Sequence, residues 1–178
     1  PDSVLPELWL TNNLPAGSKV GFNPQTISVQ SFRDLKNELD KVNIQLVESS
    51  DLLDKIWDDR PSIPESNVFE LSTKFSGCSR KEKIGLVSNK LKNEGVDIHI
   101  ITALDELAWL YNLRGSDIRY NPVFIGFGAV TATEAFLFTD KKKISDHIKN
   151  RLVKDQVRFM NYNEFYIWLK SFRKKNLY

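Results

Sequence analysis

The polar side chains best placed to do chemistry fall between Asn112 and Asn121, in Asn112-Leu113-Arg114-Gly115-Ser116-Asp117 and the residues that follow. Arg114 carries a planar fork of N–H donors that fits a carboxylate or a main-chain carbonyl, and Asp117 accepts from an amine. Asn112, Arg114 and Asp117 are the candidate substrate-binding residues. A purely structural alternative stands beside this reading: Arg114 pairs with Asp117 and pins the loop.

Elsewhere the sequence offers little. A metal site needs several His, Cys, Asp or Glu side chains within roughly 2–2.5 Å of one ion. The two histidines are His99, between Ile98 and Ile100, and His147, next to Asp146, and neither has a second ligand at useful spacing. Both read as hydrogen-bonded structural residues. No metal ligand and no catalytic residue is expected in this chain. Cys78, in Ser76-Gly77-Cys78-Ser79, stands where a helix N-terminus can stabilise a thiolate, but no histidine lies near it in sequence. Gly126-Phe127-Gly128 lies inside a strand pattern, not between strand and helix as a dinucleotide loop requires. Asp97 and Asp105 are too isolated to serve a metal-dependent nuclease. Lys170, Arg173, Lys174 and Lys175 complement the dipole of a last helix, with no aromatic platform for nucleic acid.

The loop must be held by its flanks. Before it, Val96–Ile101 reads as a strand, Thr102 and Asp105 as a capping box, and Leu104, Leu107, Ala108 and Tyr111 as one face of a short helix. Gly115 is the expected left-handed stop. After it, Pro122 closes the loop, and strands over 123–130 and 135–138 form a hairpin. Leu104, Leu107, Trp109 and Phe124 are expected to be largely buried.

Further out, Ser79 and Glu82 form a capping box for a helix over 79–94, with Ile84, Val87, Ser88 and Leu91 inward and Gly95 as C-cap. Val68–Leu71 is a short strand. Lys141–Leu152 is an amphipathic helix with Ile144, Ile148 and Leu152 inward, Val157–Met160 a strand, and Asn163 the cap of a helix over 164–172. Residues 1–60 read as a half-module. The end of a helix at Leu8-Trp9-Leu10 precedes a strand at 19–22. A helix carrying Phe32, Leu35, Leu39 and Val42 follows, capped by Ser28 or Ser31, then a strand at 44–47 and a Ser50-capped helix with Leu52, Leu53, Ile56 and Trp57. Pro61–Pro64 is a linker. The fold class is α/β, a mixed β-sheet flanked by helices.

The 178 residues bound what such a chain can be. At 41% hydrophobic with four Trp it can bury a core, and a net charge of +2 gives no argument for nucleic acid or an anionic membrane. No apolar run approaches the roughly 18 residues that span a bilayer. A single cysteine fits a reducing compartment. The sequence starts at Pro1 without Met and reads as trimmed.

Three stretches then carry a resemblance. Asp105-Glu106-Leu107-Ala108-Trp109-Leu110, the run Asn112–Asp117, and Asn121-Pro122-Val123-Phe124 closely resemble the middle domain of the cytosolic, three-domain Xaa-Pro aminopeptidases. Asp54-Lys55-Ile56-Trp57-Asp58-Asp59-Arg60-Pro61 resembles the junction of their first and middle domains. The resemblance implies a creatinase/prolidase N-terminal-like, ribonuclease H-like fold. Residues 1–60 would be the C-terminal part of a first such domain and 61–178 the middle one, with the catalytic pita-bread domain absent. That domain holds two metals, usually manganese, through two Asp, one His and two Glu, and removes an N-terminal residue preceding proline. The implied partners are the missing catalytic domain, proline-containing peptides and a second subunit of a homodimer, in the cytoplasm, with no nucleic acid or membrane. The loop at Asn112–Asn121 would lie near the rim of the catalytic cleft. This chain would then shape substrate access without catalysing. A metal-free creatinase-like binding module, of the kind found in a histone chaperone, is the alternative.

Overall fold

A computed structural model of the chain describes residues 5–172, and the chain divides into two compact units, Pro1–Ser62 and Ile63–Tyr178. The first unit contains α1 (Pro6–Asn13), β1 (Lys19–Phe22), α2 (Val29–Lys41) and β2 (Gln45–Glu48). β1 and β2 are parallel, Lys19 opposite Gln45 and Phe22 opposite Glu48, as a crossover through a helix requires. Ser28 caps α2, its hydroxyl accepting from the Ser31 N–H at 3.0 Å. The expected helix around Leu52–Trp57 is a single 3₁₀ turn, Leu53–Lys55, and Asp51, not Ser50, satisfies its first N–H. Leu52, Leu53, Ile56 and Trp57 are exposed there, so no buried stripe was available to extend it.

The second unit runs β3 (Phe69–Glu70), α3 (Thr73–Ser76), α4 (Arg80–Glu94), β4 (Ile98–Ile101), α5 (Leu104–Tyr111), β5 (Leu113–Arg114), β6 (Phe127–Thr131), β7 (Ala135–Phe138), α6 (Asp146–Lys154), β8 (Val157–Met160) and α7 (Phe165–Lys170). Its main sheet has the order β4-β6-β7-β8, antiparallel twice and then parallel, so it is mixed. β3 and β5 form a small antiparallel pair, Phe69 opposite Arg114. β7 is buried at every position. Its period of two sends Ala135 and Leu137 toward α4, α5 and α6, and Phe136 and Phe138 toward α7. The first side carries Leu91, Leu107, Tyr111, Ile148 and Leu152. The second is aromatic, with Phe165 stacked on Phe127 at 4.1 Å and Trp168 4.8 Å from Phe136.

α4 begins at the expected capping box, Ser79 Oγ accepting from the Glu82 N–H at 3.2 Å and Glu82 accepting from the Ser79 N–H at 2.7 Å. It ends on Gly95 at φ 66°. Several boundaries differ from the sequence expectation. Val96 is not in β4, because its N–H closes the α4 terminus on the Leu91 carbonyl. α5 starts after Ala103 without the Thr102–Asp105 box. Residues 123–126 are not strand: the Ile125 N–H goes to the Asp117 carboxylate and its carbonyl accepts from the Thr139 hydroxyl, so side chains replace the ladder. Residues 141–143 form a 3₁₀ turn, and α6 starts only after its cap Ser145, with Ile144, Ile148 and Leu152 buried. Asn161, paired with Glu164, caps the final segment in place of Asn163. Lys170 ends α7, while Arg173, Lys174 and Lys175 lie outside the described residues.

Candidate functional site

The Asn112–Asn121 loop is built on the C-terminus of α5, where carbonyls lack intrahelical partners. Asn112 takes the left-handed conformation there, at φ 51°. Gly115, expected in that role, has no positive φ. It is needed for space: a Cβ there would lie 2.8 Å from the Phe124 Cβ.

Three cations meet the C-terminal end of the helix. Lys83 Nζ donates to the Trp109 carbonyl at 2.9 Å, and Arg80 Nε to the Tyr111 carbonyl at 2.7 Å. Arg114 Nη1 donates to the carbonyls of Ala108 at 2.6 Å and Leu113 at 2.9 Å. The positive charges also face the negative end of the helix dipole. Arg80 is buried and has two carboxylate partners, Glu70 at 2.6 Å and Asp155 at 3.0 Å. Lys83 is buried too. That burial lowers its pKa; Cys78 opposes the shift and Arg114 adds to it. The Lys83 ammonium lies 4.5 Å from the Trp109 ring centroid, a cation–π contact.

The other end of the loop hangs on Asp117. Its carboxylate takes the Lys143 ammonium, the Ser66 hydroxyl at 2.5 Å and the Ile125 N–H at 2.6 Å. Burial favours the neutral acid, but these three partners outweigh it and hold the Asp117 pKa below its ordinary value. Lys143 and Asp117 are both fully buried as side chains.

Asn112, Arg114 and Asp117 do not converge. The Arg114–Asp117 pair does not form, since Arg114 turns back onto α5 and Asp117 turns toward Ser66 and Lys143. Asn112 also faces inward, accepting from Lys83 at 2.7 Å and donating to the Cys78 carbonyl at 2.8 Å. The polar atoms of Asn112 and Asp117 are thus committed to the fold. Arg114 is only partly buried, and among the described residues nothing accepts from its Nε or Nη2. Trp109, expected inside, is 50% exposed. The spacing contained this information: 109 falls outside the 104, 107, 108, 111 face. Leu107 and Phe124 are buried as expected, and Leu104 partly so. Arg80 and Lys83 had no marker in the sequence beyond their place in the first turn of α4.

The loop therefore keeps an arginine fork with uncommitted donors, suited to a peptide carbonyl or carboxylate. It offers no nucleophile. Burial, and then Glu82, raise the pKa of the Cys78 thiol, opposite to activation. Among the described residues no three His, Cys, Asp or Glu side chains converge on a point that could hold a metal, and no helix is long and apolar enough to cross a membrane.

The sequence profile of the Creatinase/Prolidase N-terminal domain matches residues 59–177. The chain belongs to that family. Creatinase-type relatives match it well beyond the profile. It is 37% identical over 176 residues, 98% of its length, to a probable Xaa-Pro aminopeptidase P of Coprinopsis cinerea, and covers 28% of that protein. It is 39% identical over 146 residues to aminopeptidase P1 of Arabidopsis thaliana, covering 82% of the chain and 23% of that protein. The crystal structure of an X-prolyl aminopeptidase from Caenorhabditis elegans, described as a cytosolic enzyme with a di-nuclear active site, superposes with a TM-score of 0.86. The identity is 31%, over 98% of this chain and 28% of that one. The chain thus spans about a quarter of the length of the relatives it matches.

Proposed function

We propose that this chain is the non-catalytic N-terminal part of an Xaa-Pro aminopeptidase, a cytosolic metalloenzyme that removes an N-terminal residue preceding proline. The observation that carries this is the extent of the likeness: relatives named for that activity align with 98% of the chain, across both of its units. Residues 1–60 would be the end of a first creatinase-type domain and 61–178 the middle one. The described residues do not fit a metal pair, so two metal ions, manganese by preference, would be held by the remainder of the polypeptide, which would also supply the acid–base groups and the water. In this reading Arg114 and Trp109 stand at the rim of the cleft, with Arg114 free to donate to a substrate carbonyl through Nε and Nη2. The complete protein would act as a homodimer.

The test uses the full-length protein and an Xaa-Pro peptide against the same peptide with alanine for proline. Proline-dependent release of the first residue, lost with chelator and restored by manganese, is the expected result. A full-length protein that leaves the peptide intact after metal loading would overturn the reading.

A further inference from the structure

We propose that the crevice at the carboxyl ends of β7 and β8 binds a free α-amino acid with an apolar side chain, its carboxylate on Lys142 and its ammonium on Asp140. Such binding is separate from the proposed peptidase activity and does not depend on it. Three observations point to it. The first is topology. β7 and β8 are parallel neighbours, Ala135 opposite Val157 and Phe138 opposite Met160. After β7 the chain turns to α6, whose Ile148 and Leu152 pack with Ala135 and Leu137 on one side of the sheet. After β8 it turns to α7, whose Phe165 and Trp168 pack with Phe136 and Phe138 on the other side. Neighbouring strands whose connections leave to opposite faces open a crevice between them, and in α/β sheets ligands sit in such a crevice. Among the described residues, the last backbone bond joining the two segments runs from the Thr139 N–H to the Met160 carbonyl, at 3.3 Å.

The second is the space. A cavity of about 250 Å³ lies at that point, lined by Asp140 and Lys142 after β7, Tyr162 after β8, and Ile63 and Ile125. Pockets for drug-sized ligands run from roughly 300 to 1,000 Å³, so this one suits a smaller molecule. Its apolar walls are fixed from behind. The Tyr162 ring stacks on Phe127 with centroids 5.0 Å apart, and the Ile125 N–H and carbonyl are held by Asp117 and Thr139.

The third is charge, and it selects the ligand. Asp140 and Lys142 bring one charge of each sign to the cavity. Asp140 Oδ1 accepts from the Lys142 N–H at 2.9 Å, which fixes the carboxylate at the start of the 141–143 turn. The Lys142 ammonium meets Glu65 at 3.7 Å with both side chains exposed, an ion pair that a ligand carboxylate displaces at little cost. Lys143, which also borders the cavity, is already neutralised by Asp117. One ammonium and one carboxylate beside two isoleucines and a phenol ring complement a zwitterion with an apolar side chain. A lone anion would leave Asp140 facing its own sign, and a lone cation would do the same to Lys142.

Calorimetric titration of the full-length protein with L-leucine tests this. Saturable binding is expected, and two variants separate this site from any other that takes leucine. Lys142→Ala removes an exposed ammonium, and Asp140→Asn removes the carboxylate charge while keeping a side chain that can cap the turn. Each is expected to weaken leucine binding by about tenfold or more with Tm unchanged. L-leucinol, which lacks the carboxylate, and isocaproate, which lacks the ammonium, are expected to bind the wild type about tenfold or more weaker than leucine. No saturable binding at millimolar leucine would overturn the proposal. Affinity unchanged in either variant would also overturn it, by placing leucine elsewhere, as would isocaproate binding as tightly as leucine. Leucine binding with all of these losses supports it even in a protein that leaves an Xaa-Pro peptide intact, so the two readings fail separately.

Discussion

At the scale of single residues, Arg114 and Asp117 stand three residues apart and do different things, though both stood out in the sequence for the same reason. Arg114 caps Ala108 and Leu113 with one nitrogen and leaves two donor groups facing out. In the full-length enzyme, Arg114→Ala is expected to lower kcat/KM for an Xaa-Pro peptide by about ten- to a hundredfold, the loss of one charge-assisted hydrogen bond of about 1.5–3 kcal/mol. Kinetics that are unchanged at a temperature where the variant is folded, with only Tm reduced, would leave Arg114 as a helix cap. Asp117 is different, because its partners are all protein. Asp117→Asn leaves Lys143 buried without its counter-charge and is expected to cost about 3–5 kcal/mol at neutral pH. The folded pKa of Asp117 is depressed, so its contribution is complete above the ordinary aspartate pKa and is lost as pH falls through the folded value. Denaturant melts should therefore show the gap between wild type and variant narrowing below about pH 4. A constant gap would remove the carboxylate charge from the account.

Elements set where those residues stand. α5 lies on β6 closely enough that a Cβ on Gly128 would sit 2.8 Å from Leu107 Cδ1 and 3.2 Å from Tyr111 Cε2. Tyr111 fixes the contact from inside: its hydroxyl donates to the Phe136 carbonyl at 2.6 Å, and burial pushes its pKa well above the ordinary tyrosine value. Gly128→Ala is expected to cost about 1–3 kcal/mol by overpacking. Trimming the opposing side chain with Leu107→Val should recover part of that, giving a double-mutant cycle with a coupling above about 0.5 kcal/mol. Additive losses would show that α5 can move off the sheet freely. The same contact governs the loop, since any shift of α5 displaces the carbonyls that Arg80, Lys83 and Arg114 hold.

For the whole molecule, the described residues contain packing, caps and ion pairs but no convergent metal ligands. The 178-residue chain on its own is expected to bind no stoichiometric manganese and to release no amino acid from an Xaa-Pro peptide, because a divalent manganese ion prefers about six oxygen or nitrogen ligands. Metal analysis of the purified chain and the peptide assay check this together. Turnover that a chelator abolishes would contradict it.

What the sequence determined by itself were the features written within one or two turns of chain. Ser79, Glu82 and Gly95 bracket α4 to within a residue, and the spacing of Ile144, Ile148 and Leu152 marks the buried face around α6. The hairpin strand at 135–138, the mixed sheet and the likeness to Xaa-Pro aminopeptidases belong to the same class of local or contiguous signal. The tertiary structure alone decided the partners of the charges. Asp117 meets Ser66 from 51 residues away and Lys143 from 26, Arg80 meets the Tyr111 carbonyl across 31, and Lys83 meets Asn112 across 29. Spacing along a chain carries no record of such encounters, since they depend on how elements pack after they form. That is why Arg114 and Asp117, three residues apart, were natural partners on paper and became fixed to different parts of the fold. It is also why residues 123–126, apolar enough for a strand, gave up their ladder to the Asp117 carboxylate and the Thr139 hydroxyl.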